Sequence, residues 1–477
     1  MTVDLTAPLV MSELADTTTR GQIDAMLARL EATGRGNLLK QAYYDFEARI
    51  PRSPVLPAAW QEVKQVCGWP STVIDVLEER LDLLGWRGDA SGTLDALFRD
   101  GGIGLEATLG HLDALIFGVA FLQVDPHAVV DGRPDLVTAA SPLDTTGIWD
   151  GQRRRLVAAL TVVERDRTTG SIRRIAYSND EVTGTLQRVA NVWTWIDRRP
   201  HTLGRTPVVQ LLNRPRSSRL GGRSEITLPV RAYTDQPVQT LSGMRANRDF
   251  YSYPQRYAEN APADMFTDAN GQPIPGWVTA MSAMLTADPP TAGEASVKFG
   301  SFTSSPPTPF LDQIRGLAMQ LAGEAAIPPH YLGLLTDNPA SAEAIKNIES
   351  RLVKRTERRQ TSFGWAWSEV GRLVLAMHDQ SAAGLQVLWR PADTPTLAAE
   401  ADATVKLVQA GVLPATSRVT FDRLRITPED QQRILDHVAQ NPTGVNALAS
   451  AVAKQGGAGA IPVSLRPTAP DAAKLEG

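Results

Sequence analysis

Apolar side chains along this chain recur every three or four residues in some stretches and every second residue in others, and the switches between the two periods lay out its elements. Residues 22–46 place Ile23, Met26, Leu27, Leu30, Leu38 and Leu39 at helical spacing, with Gly34 and Gly36 predicting a break between two helices. A proline-rich stretch at 51–57 leads to residues 71–84, where Ser71 can cap a helix whose stripe is Val73, Ile74, Leu77, Leu81 and Leu84. A further helix is expected to end near Gly118. Beyond it the period drops to two, and residues 119–124, 156–164, 172–177 and 189–196 predict strands of one mixed or antiparallel sheet. Residues 207–212 predict another strand, running into a turn at Asn213, Arg214 and Pro215.

Helical spacing returns at 223–250 through Val230, Tyr233, Val238, Leu241 and Met244. Pro229 suits a first turn, whereas Pro237 removes a donor and crowds the preceding carbonyl, predicting a kink or a late start. Residues 251–309 are rich in Pro, Gly, Ser and Thr, with a short apolar run at 277–284, and read as a small excursion between helices. Residues 310–326 form the next helix, stopped by Pro328 and Pro329. A polar loop at 334–341 precedes the longest uninterrupted helical pattern, 342–377. A strand at 385–389 and helices at 396–410, 417–423 and 428–439 follow, and the Gly, Ala and Pro content from Gly456 onward predicts a mobile tail. The class is α+β, without a fixed-period repeat.

At 477 residues the chain exceeds one compact core, so two or more regions are expected. A 43% hydrophobic share can sustain a fold. The formal charge of -4, from 48 Lys and Arg against 52 Asp and Glu, leaves no bulk excess for clamping phosphate. Cys67 stands alone, which excludes internal disulfides and Cys-rich metal sites and implies a reducing compartment. No basic leader with an apolar run and no eighteen successive apolar residues occur, so neither secretion nor membrane spanning is expected.

Catalytic signatures are absent from the sequence: no phosphate loop of the G-x-x-x-x-G-K-[ST] type and no G-x-S-x-G elbow. Gly102, Gly104 and Ala107 match G-x-G-x-x-A, but after a helical segment where a nucleotide site requires a strand. The six histidines, His111, His127, His201, His330, His378 and His437, show no i, i+4 pairing for zinc and read as surface or packed residues. Glu78 and Glu79 read as a solvated helix face. The charge feature with two readings is Lys346, Arg351, Lys354, Arg355, Arg358 and Arg359, which either contact DNA phosphates or acidic neighbours, or form a solvated face laced with Glu349 and Glu357. No catalytic, cofactor-binding or metal-binding residue is assigned, and the chain is not expected to be an enzyme.

Five segments in order resemble portal proteins of tailed bacteriophages, especially siphoviruses of actinobacteria, and the resemblance spans about 35–390. LGRTPVVQLLNRPR at 203–216 resembles the strand and turn before the first stem helix, and GRSEIT at 222–227 its start. NRDFYSYPQRY at 247–257 resembles the exit into the clip. IPPHYLG at 327–333, followed by SAEAIKNIESRL at 341–352, resembles the tunnel loop and the long helix behind it. The resemblance implies a portal-type fold: an α/β wing at 1–222, stem helices at 223–250 and 310–333, and a clip at 251–309. A tunnel loop at 334–341, a long helix with a wing strand at 342–392, wing or crown helices at 393–440 and a crown tail at 441–477 complete it. Leu334, Leu335, Thr336, Asp337, Asn338, Pro339 and Ala340 would be nearest the DNA.

It further implies a ring of usually twelve copies at one vertex of the virion head, assembled in the host cytoplasm. Double-stranded DNA would pass without sequence reading, and the partners would be a terminase ATPase, a head–tail adaptor, the major capsid protein and scaffold, with no membrane and no cofactor. Two alternatives stand beside it. Another head–tail assembly protein would not need two helices bracketing a Pro-rich insertion, and a metal-dependent nucleic-acid enzyme would need clustered Asp and Glu at strand ends.

Overall fold

Capping chemistry and tertiary anchoring decide where the elements begin and end. The computed structural model describes residues 14–50, 65–88, 91–125, 136–217, 221–252, 256–261, 267, 272–273, 295–301, 306–334, 342–393, 397–424, 426 and 428–440. Helix α1 (Thr17–Tyr44) starts where the Asp16 carboxylate accepts from Thr19 N at 2.7 Å. It is one helix, not the two expected. A helical glycine costs about 1 kcal/mol relative to alanine, and anchors just past Gly34 and Gly36 offset that: Asn37 Nδ2 donates to the Pro142 carbonyl (3.4 Å) and Lys40 Nζ to that of Phe117 (2.9 Å).

Helix α2 (Trp69–Glu78) begins before Ser71, with Pro70 in its first turn. The Ser71 hydroxyl donates back to the Gly68 carbonyl at 2.8 Å instead of capping. The helix also ends before Leu81, and Leu84 lies exposed in strand β1 (Leu83–Arg87). Helices α3 (Ser91–Asp100) and α4 (Ile103–Phe117) follow, and α4 stops at Gly118, whose φ of 99° is a left-handed conformation that favours glycine.

The strands are β2 (Val119–Asp125), β3 (Leu136–Ala140), β4 (Thr145–Asp150), β5 (Arg155–Arg165), β6 (Ile172–Asn179), β7 (Val182–Val189), β8 (Val192–Pro200) and β9 (Val208–Leu212). They do not form the single sheet expected. One antiparallel sheet has the order β3-β2-β9, and another is the meander β4-β5-β6-β7-β8. Strand β5 sends Ala158, Leu160 and Val162 into one apolar cluster and Leu156 and Ala159 into another with Phe121 and Val208. A strand buried on both faces belongs to stacked layers. The expected strand at 189–196 is a hairpin, because Ala190 and Asn191 both take positive φ and turn the chain between β7 and β8. Helix α1 covers the meander with Ile23, Met26 and Leu30.

Helix α5 (Leu228–Ser252) starts five residues later than the pattern implied, and Pro237 lies inside it. A two-stranded ribbon, β10 (Arg256–Glu259) with β11 (Lys298–Ser301), stands in the excursion, most of which lies outside the described residues, as do the runs at 51–57 and 277–284. Helix α6 (Thr308–Ala325) packs on α5 and ends at Ala326. A short 3-10 turn, Pro329–Leu332, precedes helix α7 (Ala342–Met377), whose span matches the sequence pattern. Strand β12 (Gln386–Trp389) pairs antiparallel with β1, placing Trp86 opposite Val387. The segment 393–477 forms a separate unit containing α8 (Leu397–Gln409), α9 (Arg418–Arg423) and α10 (Pro428–Gln440), where Phe421 is buried and Gln431 Nε2 donates to the Ile426 carbonyl at 2.9 Å. The tail expected to be mobile lies outside the described residues.

The main core gathers α2, α4, β2 and β9 around α7, which buries Phe363, Trp367, Val370 and Val374 completely. His111 sits inside it with no exposed surface. Trp367 Nε1 donates to His111 Nε2 at 2.9 Å and Phe363 stacks on the imidazole at 5.1 Å. Burial drives this imidazole down to about 3, so it is neutral in the fold. The unfolded chain takes that proton near pH 6.5 and the folded chain only near pH 3. Stability is therefore expected to fall with acidification below about pH 6.5, by up to about 1.4 kcal/mol per pH unit. Denaturant melts of wild type and His111→Gln at pH 7, 6 and 5 check this: the variant should show a flatter dependence, and equal slopes would mean that the imidazole titrates while folded.

Candidate functional site

The turn after β9 builds the site from its backbone outward. Asn213 is wholly buried, its N–H donating to the Gly118 carbonyl (3.1 Å) and its carbonyl accepting from Arg223 N (2.7 Å). Its side-chain amide donates to the Arg223 carbonyl (2.7 Å) and to Glu225 Oε1 (2.9 Å). The chain therefore returns to its starting point ten residues later. Only glycine fits at 222, since a Cβ there would lie 1.5 Å from the Gly118 carbonyl oxygen. The Ser224 hydroxyl then donates to the Ile116 carbonyl, and Glu225 N to that of Leu115 at 2.9 Å. These bonds lash GRSEIT across the end of α4 before α5 begins.

The Glu225 carboxylate, 2% exposed, receives two guanidiniums from α7. Arg355 Nη2 donates to Oε2 at 2.7 Å, Arg359 Nη2 to Oε1, and Arg214 Nη1 stands 3.5 Å away. Burial alone would raise the carboxyl, but Arg359 and Arg355 outweigh it and hold it below the usual carboxylate range. Burial brings the Arg355 guanidinium down to about 10, with Glu225 opposing that shift.

The basic run on α7 thus fits neither sequence reading as a whole. Arg355 and Arg359 are spent on an internal carboxylate, while Arg351, Lys354 and Arg358 are exposed. Arg351 Nη1 donates to the Gly323 carbonyl (3.2 Å), and Lys354 pairs with Glu357 at 2.6 Å as the solvated reading expected. Glu349 instead turns inward to Tyr331 Oη (3.2 Å) and Arg80 (3.5 Å), and Arg80 also donates to Tyr331 Oη at 3.1 Å. Tyr331 precedes residues 335–341 and Glu349 follows them, so this trio joins the two flanks of that segment. Leu334 is half-buried. Leu335, Thr336, Asp337, Asn338, Pro339, Ala340 and the Lys346 side chain lie outside the described residues.

Beside the Glu225 network opens a cleft of about 1220 Å³. Its walls carry Arg154, Arg214, Arg216, Arg223, Arg351, Lys354, Arg355, Arg358 and Arg359, with the indoles of Trp149 and Trp365 and one acid, Glu324. Sequence reasoning found the α7 cations and missed the opposite wall and Glu225. The signal was present in NRPR and GRSEIT, a lone carboxylate and three arginines around one turn. Elsewhere, Gly102 caps α4 after helix α3, and Glu106 in the first turn accepts from Ala139 N at 2.7 Å. Glu78 is not on a solvated face: burial first, then Asp82, Asp75 and Glu79, push its carboxyl up to about 7. Among the described residues no His, Cys, Asp and Glu group is placed to hold a metal, and no helix is long and apolar enough to cross a membrane.

Residues 104–421 match the family described as "Phage portal protein, SPP1 Gp6-like". The portal protein of Mycobacterium phage D29 is 31% identical over 431 residues, covering 86% of this chain and 87% of that protein. This chain belongs to the phage portal family. The portal protein of Mycobacterium phage L5 is likewise 31% identical over 432 residues, covering 86% of each chain. Among solved structures, a chain from the neck of a native gene transfer agent particle computed with C12 symmetry aligns at a TM-score of 0.40 and 15% identity, covering 83% of this chain and 99% of that one. A chain from the virion of the same kind of particle aligns at 0.38 and 15% identity, covering 75% and 89%. The family assignment stands on the sequence matches alone. In this portal protein the motif at 222–227 is accounted for by the knot around Glu225.

Removing Glu225 leaves two buried guanidiniums without a counter-charge, so Glu225→Ala is expected to cost about 3–5 kcal/mol in denaturant unfolding. Replacing the set together, Glu225→Leu with Arg355→Met and Arg359→Met, is expected to recover most of that loss. A single Glu225→Ala variant as stable as wild type would show that the network contributes no net stability.

Proposed function

We propose that this portal protein is one subunit of a closed ring at a head vertex, through which double-stranded DNA enters and leaves without its sequence being read. The observation that carries the reading is the hairpin of α5 and α6. Near the body it is well packed, with Val230, Val238, Leu317 and Leu321 buried. Along 241–248 and 308–316, however, no described side chain is fully buried; Leu241, Met244, Phe310 and Ile314 are half-covered and Leu311 is 44% exposed. A slender pair of helices cannot cover its own outer faces, and a heterologous contact with the next copy would do so and close into a ring.

In this reading 1–222 and 342–392 form the wing, 223–250 and 310–333 the stem, 251–309 the clip, and 393–477 wing or crown helices and the crown tail. The loop at 334–341 lies at the lumen, with Asp337 and Asn338 nearest the duplex, and the Arg80, Tyr331 and Glu349 trio holds its bases while its tip adapts. Packaging energy comes from a separate terminase ATPase. A head–tail adaptor, the major capsid protein and scaffold are the other partners, and no cofactor is required.

Electron microscopy and light scattering of the purified chain, with and without scaffold, are expected to give rings of about twelve copies whose hole admits a duplex. A monomer that persists across salt concentrations and in the presence of scaffold overturns the reading. Asp337→Trp and Asn338→Trp are expected to form normal rings while lowering packaged DNA. Loss of the rings themselves would put the loop at a subunit contact instead of the lumen.

A further inference from the structure

We infer that the cleft between the β9 turn and helix α7 binds the phosphate backbone of a single-stranded nucleic acid. The inference is independent of the ring. Nine cationic side chains line this cleft, against Glu324 on its wall and Glu225 behind it. Glu225 engages Arg355 and Arg359 and stands 3.5 Å from Arg214, and Glu357 holds Lys354, so most of the positive charge has no acid opposite among the described residues. A chain that is net negative overall has gathered this charge into one concavity, where the cations destabilise one another until an anion enters.

Among the described residues, three buried donor atoms on the cleft lining have no acceptor: Trp149 Nε1, Arg355 Nη1 and Arg359 Nε. Arg359 is 4% exposed, a burial at which an unmatched donor is costly. The cleft therefore suits a ligand built of acceptors. Phosphodiester and carboxylate both qualify, and two further features favour the former. Arg351, Lys354 and Arg358 recur at three- and four-residue spacing along α7, a row about 10 Å long at 1.5 Å per residue, which suits an anion repeating at short intervals. Trp365, 45% exposed, presents an indole beside that row on which an unpaired base can stack, a surface an acidic peptide has little use for.

The test uses the full chain and a labelled twenty-nucleotide single strand, read by fluorescence anisotropy over a salt series. Binding is expected with a Kd of about 1–100 μM near physiological salt. The triple variant Arg351→Gln, Lys354→Gln, Arg358→Gln should bind more weakly, and the slope of log affinity against log salt should shrink by about 2, near 0.7 per lost phosphate contact. These side chains are exposed and none touches Glu225, so folding should persist; if the triple variant misfolds, Arg358→Gln alone should shrink the slope by about 0.7. Trp365→Ala should lower affinity about fivefold or more. An unchanged slope removes the α7 row from the site, and unchanged affinity in Trp365→Ala removes the stacked base. A polyglutamate peptide that displaces the strand at equal charge concentration would make the natural occupant an acidic protein segment. Each of these results overturns the assignment. Light scattering on the same samples separates it from the ring: rings without strand binding sink this inference alone, and strand binding by a persistent monomer sinks the ring alone.

Discussion

The contact on which this structure turns is the Glu225 carboxylate between the Arg355 and Arg359 guanidiniums. A carboxylate withdrawn from water costs several kcal/mol, and only counter-charges of good geometry offset it. Here they come from the middle of a helix 130 and 134 residues further along the chain. The turn after β9, the end of α4 and the long helix α7 must therefore meet at one place. Because α5 begins three residues after Glu225, the same contact sets where the α5 and α6 hairpin leaves the body. It also divides the basic helix, turning two arginines inward and leaving the rest of the row for an outside partner.

Around that point α7 acts as the axle of the main core. Its second half is closed by aromatic packing, with Phe363 and Trp367 enclosing His111 and Trp86 Nε1 donating to the Trp367 carbonyl at 3.0 Å. Its first half is tied through Glu349 to Tyr331, which Arg80 also holds. The β1 and β12 pair returns the chain to the body after α7, joining residues about three hundred positions apart.

Much of this could be read directly from residues. The span of α7, the strands at β2, β5, β6 and β9 and the stop at Gly118 followed from periodicity and turn chemistry, because those signals act over a few neighbouring residues, while the family segments were carried by resemblance. The errors share one cause. Gly34 and Gly36 predicted a break that Asn37 and Lys40 overrode by bonding to distant carbonyls. One sheet was expected where β5 is buried on both faces and the strands stack in layers. Glu78 and Glu79 looked alike, yet burial beside Asp75 and Asp82 sets Glu78 apart.

By itself, then, the sequence determined the α+β class, most helices and strands, and the portal family, since spacing and short motifs are properties of nearest neighbours along the chain. Tertiary structure alone decided which arginines are spent inside and which remain available. That choice depends on a carboxylate more than a hundred residues away and on which face of α7 is dry. Desolvation is a three-dimensional quantity, and a linear run of charges cannot express it.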